Sequence, residues 1–221
     1  MCSIPVTSGT ILDKIMPDDY PNEKADVDHT LLLFQALDGY LFEFSAAVDL
    51  FEHVEGIWQQ HTRNVWAELT EPLNKSEGWR RLTVSRKLVS WALIPSRDAA
   101  ISIYHFKKTL DAFNHSIRKC PTLFQKIDPV SLRESGRIFS RSFPKAERLR
   151  HAVAHSAEHK VTRESFARHM EKGTYLENRL DGRTFTLSRE REELSIEISH
   201  KTTAILENVM QSIRNSFAPL L

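Results

Sequence analysis

The sequence predicts a mainly α protein, a helical bundle with a small three-stranded antiparallel β-meander near its C-terminus. Three observations predict it. Apolar residues recur at steps of three and four over several long stretches, as one face of a helix requires. Only 7 glycines and 9 prolines interrupt the 221 residues. Near residue 173 the apolar period switches from 3.6 to 2, then returns to the helical value after about residue 199.

Residues 1–27 hold Pro5, Pro17 and Pro21 with scattered acids and read as an irregular N-terminal arm, in which Ile11, Leu12 and Ile15 can pack as one turn. Residues 28–221 read as a single helical domain with the meander inserted at about 173–199. From His29 to about Trp58, Leu33, Leu37, Leu41, Phe44, Val48, Phe51 and Ile57 mark a buried helix, or two helices broken near Gly39. Because Tyr40, Phe42 and Phe44 alternate, a hairpin turning at Asp38-Gly39 is the alternative. Residues 61–95 read as shorter helices joined by a polar turn around Asn74–Gly78, the second ending before Pro95, since the residue before proline disfavours the helical conformation. Trp66, Trp79 and Trp91 in this region read as core or interface residues.

Ser96 then caps a helix over Arg97–Lys119, whose Ala99, Ile103, Phe106, Leu110, Phe113 and Ile117 alternate steps of four and three. Tyr104, His105, Lys107 and Lys108 lie beside that seam, where they can line a cleft with the helix that follows Pro144. A helix over Pro129–Ser142 follows, and another over Val161–Met170 with Thr162 as cap. The meander reads as Thr174–Leu180, a turn at Asp181-Gly182, Arg183–Leu187, and a third strand through Leu194, Ile196 and Ile198. Too small to stand alone, it must lie against the bundle or pair its edge with a second subunit. Lys201–Phe217 closes the bundle with Ile205, Leu206, Val209, Met210, Ile213 and Phe217 on one face.

Thirty basic and 29 acidic residues give a net charge of +1, so the chain is no general polyanion binder, and contact with nucleic acid needs a local patch or a groove composed by two subunits. Cys2 and Cys120 alone supply neither a disulfide framework nor a cysteine zinc site. No uninterrupted apolar run of membrane-spanning length and no export signal is read, so the expectation is a cytoplasmic protein with no membrane partner. Neither a Walker-type nor a Rossmann-type glycine loop is present, and no cofactor is expected.

The chemistry concentrates in Pro144–His159. On a helix, Leu149, Ala152, Val153 and Ser156 fall along one narrow stripe, while Glu147, Arg148, His151, His155, Glu158 and His159 fall opposite. Alanines 152, 154 and 157 let a neighbouring helix approach closely, and Pro144 suits the first turn.

Arg150-His151-Ala152-Val153-Ala154-His155 resembles the signature of the HEPN superfamily (higher eukaryotes and prokaryotes nucleotide-binding domains), an arginine, a polar residue, three variable positions and a histidine. Arg148, seven residues before His155, fits the looser form of the motif. The resemblance implies an all-helical, commonly dimeric domain and a metal-independent endoribonuclease whose two motifs face each other across a homodimer. His155 would be the principal acid/base, His151 the second proton carrier, Arg150 the phosphate holder and Arg148 an auxiliary phosphate contact. Attack by RNA's own 2′-hydroxyl needs a base, an acid for the leaving 5′-oxygen and positive charge beside the phosphorane, which imidazoles and guanidinium groups supply. On a straight helix Arg150 lies about 140° from His155 and Arg148 only about 20° away, so Arg150 needs its long arm or a partner's helix to meet the histidine.

Other readings stay open. The face can be merely solvated. It can serve a non-catalytic HEPN-like module that binds RNA, a nucleotide or a protein partner. The ladder Glu147, His151, His155 and His159, at steps of four, also suits capture of a divalent metal.

Overall fold

In the computed structural model, residues 14–67, 75–155, 162–164, 167, 179–189 and 192–220 are described. They form six α-helices and one three-stranded sheet: α1 (Lys24–Ala67), α2 (Lys75–Ser116), α3 (Pro121–Phe124), α4 (Pro129–Ser142), α5 (Ala146–Ala154), β1 (Arg179–Asp181), β2 (Thr184–Arg189), β3 (Glu192–Glu197) and α6 (His200–Ser216). Short 3₁₀ turns cover Pro17–Asp19, Ile117–Lys119 and Ala218–Leu220. The chain divides into two compact units, one of Met1–Glu43, Ser102–Ala146 and Lys201–Leu221, the other of Phe44–Ile101 and Glu147–His200.

The first unit is built around aromatic rings. Phe113 lies 6.2 Å from Phe34 and 6.4 Å from Phe217, and Phe34 and Phe217 are themselves 6.2 Å apart, so α1, α2 and the end of α6 share one three-ring centre. Phe106 stacks on Phe139 of α4 at 5.7 Å. The heptad-like seam foreseen in α2 is real, for Ala99, Ile103, Phe106, Leu110, Phe113 and Ile117 are all buried. Helix α4 starts at Pro129 because Asp128 caps it, accepting from the Val130 and Ser131 amides and the Ser131 hydroxyl. Those bonds, the Ser131 hydroxyl first, hold the Asp128 carboxyl below the usual carboxylate range. The Asp128 amide donates to the Ser216 carbonyl at 2.7 Å and the Ser212 hydroxyl to the Ser131 carbonyl at 2.8 Å, which ties α4 to α6.

Helix α1 runs without a break through Gly39, so neither the two-helix form nor the hairpin at Asp38-Gly39 occurs. Burial of Phe34, Leu37, Phe44 and Val48 outweighs the single glycine, which costs about 1 kcal/mol in a helix interior. Its start at Lys24 takes up the last residues assigned to the irregular arm, of which Ile15 and Tyr20 are also buried. Ile11 and Leu12 lie outside the described residues. By length and composition α1 would pass for a membrane span, with a window of mean hydropathy 1.3, although the sequence reading found no such run. Within that helix Asp38 pairs with Arg214 of α6 at 2.6 Å. Burial pushes the Asp38 carboxyl up, and Arg214 opposes that shift.

Pro95 gives the largest correction. Helix α2 passes straight through it, and Ser96 is buried inside the helix, donating to the Ala92 carbonyl at 2.8 Å, instead of capping a new one. Pro95 cannot donate to the Trp91 carbonyl, a defect of about 3 kcal/mol. Ala92, Ser96, Ala99 and Ala100 are all buried around it, and that packing holds the helix together. The turn foreseen at Asn74–Gly78 is helical from Lys75 onward. Trp79 and Trp91 are 61% and 50% exposed, so they are not core residues.

The second unit holds the meander, with strand order β1-β2-β3, all antiparallel. Asp181 pairs with Thr184, so the loop residues are Gly182 and Arg183, one residue later than the sequence reading placed them. Gly182, at φ +56°, occupies the left-handed position that glycine tolerates. This register sets Phe185 opposite Ile196 and Leu187 opposite Leu194, and all four are buried. It also leaves Arg183 at the tip, where it bonds Glu52 at 2.6 Å and Glu55 at 2.9 Å on α1. The meander therefore lies against a helix of its own chain. Residues 174–178 of the foreseen first strand and most of the helix foreseen over Val161–Met170 lie outside the described residues.

Candidate functional site

Helix α5 is amphipathic in the way its sequence requires. Leu149, Ala152 and Val153 are buried, while Glu147 and Arg148 are exposed and Arg150, His151 and His155 half-buried. Ser156, Glu158 and His159 lie outside the described residues. The His155 amide donates to the His151 carbonyl at 3.1 Å, so helical geometry reaches His155. As a result the two imidazoles are stacked, with centroids 6.0 Å apart and planes within 18° of parallel. That is the pairing expected of an i, i+4 step on one face.

The arginines are not equivalent. Arg148 forms an ion pair with Glu192 at the start of β3, the two side chains being 46% and 28% exposed. The auxiliary phosphate contact is thus already matched by a carboxylate. Arg150 stands at the middle of the helix, less exposed than Arg148, and both it and His155 have further partners. Glu192 was not legible as part of this site, because it is 44 residues beyond Arg148 and belongs to a strand. The only sequence signal is that it opens the third alternating segment with a charge.

His159 of the metal ladder lies outside the described residues. Among the described residues no three His, Cys, Asp or Glu side chains converge closely enough to hold a metal ion. Of the aromatic and basic residues beside the α2 seam, Tyr104, His105 and Lys108 make ring contacts. His105 stacks on Tyr40 at 5.3 Å and meets the edge of Tyr104 at 5.5 Å, while Lys108 lies 5.7 Å over the Tyr104 ring.

Two imidazoles held in parallel can divide proton transfers, one accepting as the neutral base and one donating as the acid, and a guanidinium beside them can hold an oxyanion. No family model matches the chain, and neither a curated protein nor a solved structure matches it.

Proposed function

We propose that this protein is a HEPN-like, metal-independent endoribonuclease whose site is α5, completed by a second copy of the chain. The observation that carries this reading is the stacked pair His151 and His155 on the outer face of α5, with Arg150 on the same short helix. His155 takes the proton from the 2′-hydroxyl, the 2′-oxygen attacks phosphorus, and the bond from phosphorus to the 5′-oxygen breaks. His151 gives the leaving oxygen its proton, and Arg150 holds the non-bridging oxygens. The products are a 2′,3′-cyclic phosphate and a free 5′-hydroxyl.

The ion pair between Arg148 and Glu192 favours a second reading, a non-catalytic module that grips RNA or a phosphate through Arg150, since it engages one of the two guanidinium groups that the cleavage site would use. Cleavage of a fluorophore-labelled single-stranded RNA in EDTA separates the two. His155→Ala is expected to lower turnover by about 10²- to 10⁴-fold with an unchanged circular dichroism spectrum. Unchanged turnover sinks the ribonuclease. RNA binding without scission, weakened by Arg150→Ala, supports the module instead.

A further inference from the structure

A groove in the first unit carries a second, independent inference. It encloses about 560 Å³ between the end of α2 with its 3₁₀ extension and one face of α4. Asn114 and Arg118, four residues apart, project from one wall, and Leu132, Arg133 and Gly136 from the other. Leu132 is buried and forms an apolar floor, while Phe124 and Pro129 add flat apolar surface at one end. The volume falls within the range of small-molecule sites.

Charge and shape both point to a ligand. Among the described residues Arg118 makes no hydrogen bond or ion pair. Arg133 spends only its Nε, which donates to the Pro129 carbonyl at 3.0 Å and fixes the guanidinium at the rim. Asp128 feels the charge of Arg133, but its oxygens already accept hydrogen bonds from Val130 and Ser131. Nearby Glu134 is paired with Arg137. Among the described residues no carboxylate lines the groove.

Gly136 also lines the groove, and like Gly39, Gly56, Gly78 and Gly182 it has open space where a side chain would stand. It stands inside α4, where glycine is a poor helix former, and a Cβ built on it meets no atom within 4 Å. With no side chain there, Gly136 leaves its part of the groove open.

We infer that this groove binds a small phosphate monoester with a flat apolar body, its dianionic phosphate between Arg118 and Arg133 and its body against Phe124, Pro129 and Leu132. Two planar guanidinium forks match the charge and oxygen geometry of such a phosphate. Asn114 adds one carboxamide donor and one acceptor toward a polar edge of the ligand.

The test titrates the full chain with phenyl phosphate, inorganic phosphate and benzoate by calorimetry. Phenyl phosphate is expected to bind at least about ten-fold more tightly than either of the others, because it alone combines dianion and ring. Arg118→Gln and Arg133→Gln should each weaken it about five- to ten-fold, and Gly136→Phe should abolish binding while Gly136→Ala keeps it. Circular dichroism establishes that each variant is folded, and the glutamine variants stand in for Gly136→Phe if that helix does not form. Equal affinity for benzoate or inorganic phosphate, or binding that survives in folded Gly136→Phe or in the double glutamine variant, overturns the inference.

Discussion

Removing the carboxylate that ties down Arg148 asks whether that arginine belongs to an RNA-binding face. In Glu192→Gln the side chain keeps its size and loses its charge. Both members of the pair are partly exposed, at 46% and 28%, so the lost ion pair should lower stability by less than about 1 kcal/mol. The guanidinium, no longer paired with Glu192, can then turn to a phosphate. At 4 Å one such contact is worth about 1 kcal/mol in water and about 4 kcal/mol at an effective dielectric constant of 20. Because Arg148 is nearly half exposed, the lower figure applies, which corresponds to roughly five-fold tighter RNA binding. Fluorescence anisotropy of a short single-stranded RNA in EDTA, repeated over a salt series, measures this. The variant should also steepen the slope of log K against log salt by about 0.7, one phosphate contact's worth. Arg148→Ala should cancel both gains in the double variant. Affinity that is unchanged or lower in Glu192→Gln, with stability falling as expected, would show that Arg148 is a structural strut and not part of the binding face.

Two further predictions concern the frame. The Glu52 carboxyl is held below the usual carboxylate range, first by the hydrogen bond from Arg183 and further by His200. A depressed value means that the stabilisation is present above the unfolded carboxyl's range, about 4.3, and is lost as pH falls through the folded value. Arg183→Ala should therefore cost about 1 kcal/mol in urea melts at pH 7 and progressively less as pH falls below the unfolded carboxyl's range, and a pH-independent cost would refute the assignment. Phe113→Ala removes a fully buried ring that touches both Phe34 and Phe217, and should cost about 3–5 kcal/mol. A loss below about 1 kcal/mol would mean that the three rings are not the core of their unit.

Elements whose signals are local were readable from the sequence. Helix α4 was foreseen over the same residues, Pro129–Ser142, since a proline suited to the first turn and a helical apolar period agree there. Helix α6 was foreseen to within a residue, and the meander's three strands and their order follow from a two-residue period that no helix tolerates. The apolar stripe of α5 was legible for the same reason. Elements decided by distant packing were not. Pro95 reads as a stop in any local window, and only the burial of α2 on both sides of it shows otherwise. The turn slipped by one residue because Asp181-Gly182 and Gly182-Arg183 are both plausible loops until Arg183 is seen to reach Glu52 and Glu55. At the candidate site, spacing alone placed His151 and His155 on one face. It could not reveal that Arg148 is claimed by Glu192, nor that Arg118 and Arg133 line one groove from separate elements.

Neither compact unit is a continuous piece of chain, for one is drawn from three segments and the other from two. Any single scission or premature stop therefore mutilates at least one of them, and usually both. No single cut leaves both units whole, and two halves expressed apart could recover a native state only by reassociating. During synthesis the tip of the meander cannot find its glutamates until well over a hundred residues after they have left the ribosome, so α1 must wait with that surface bare.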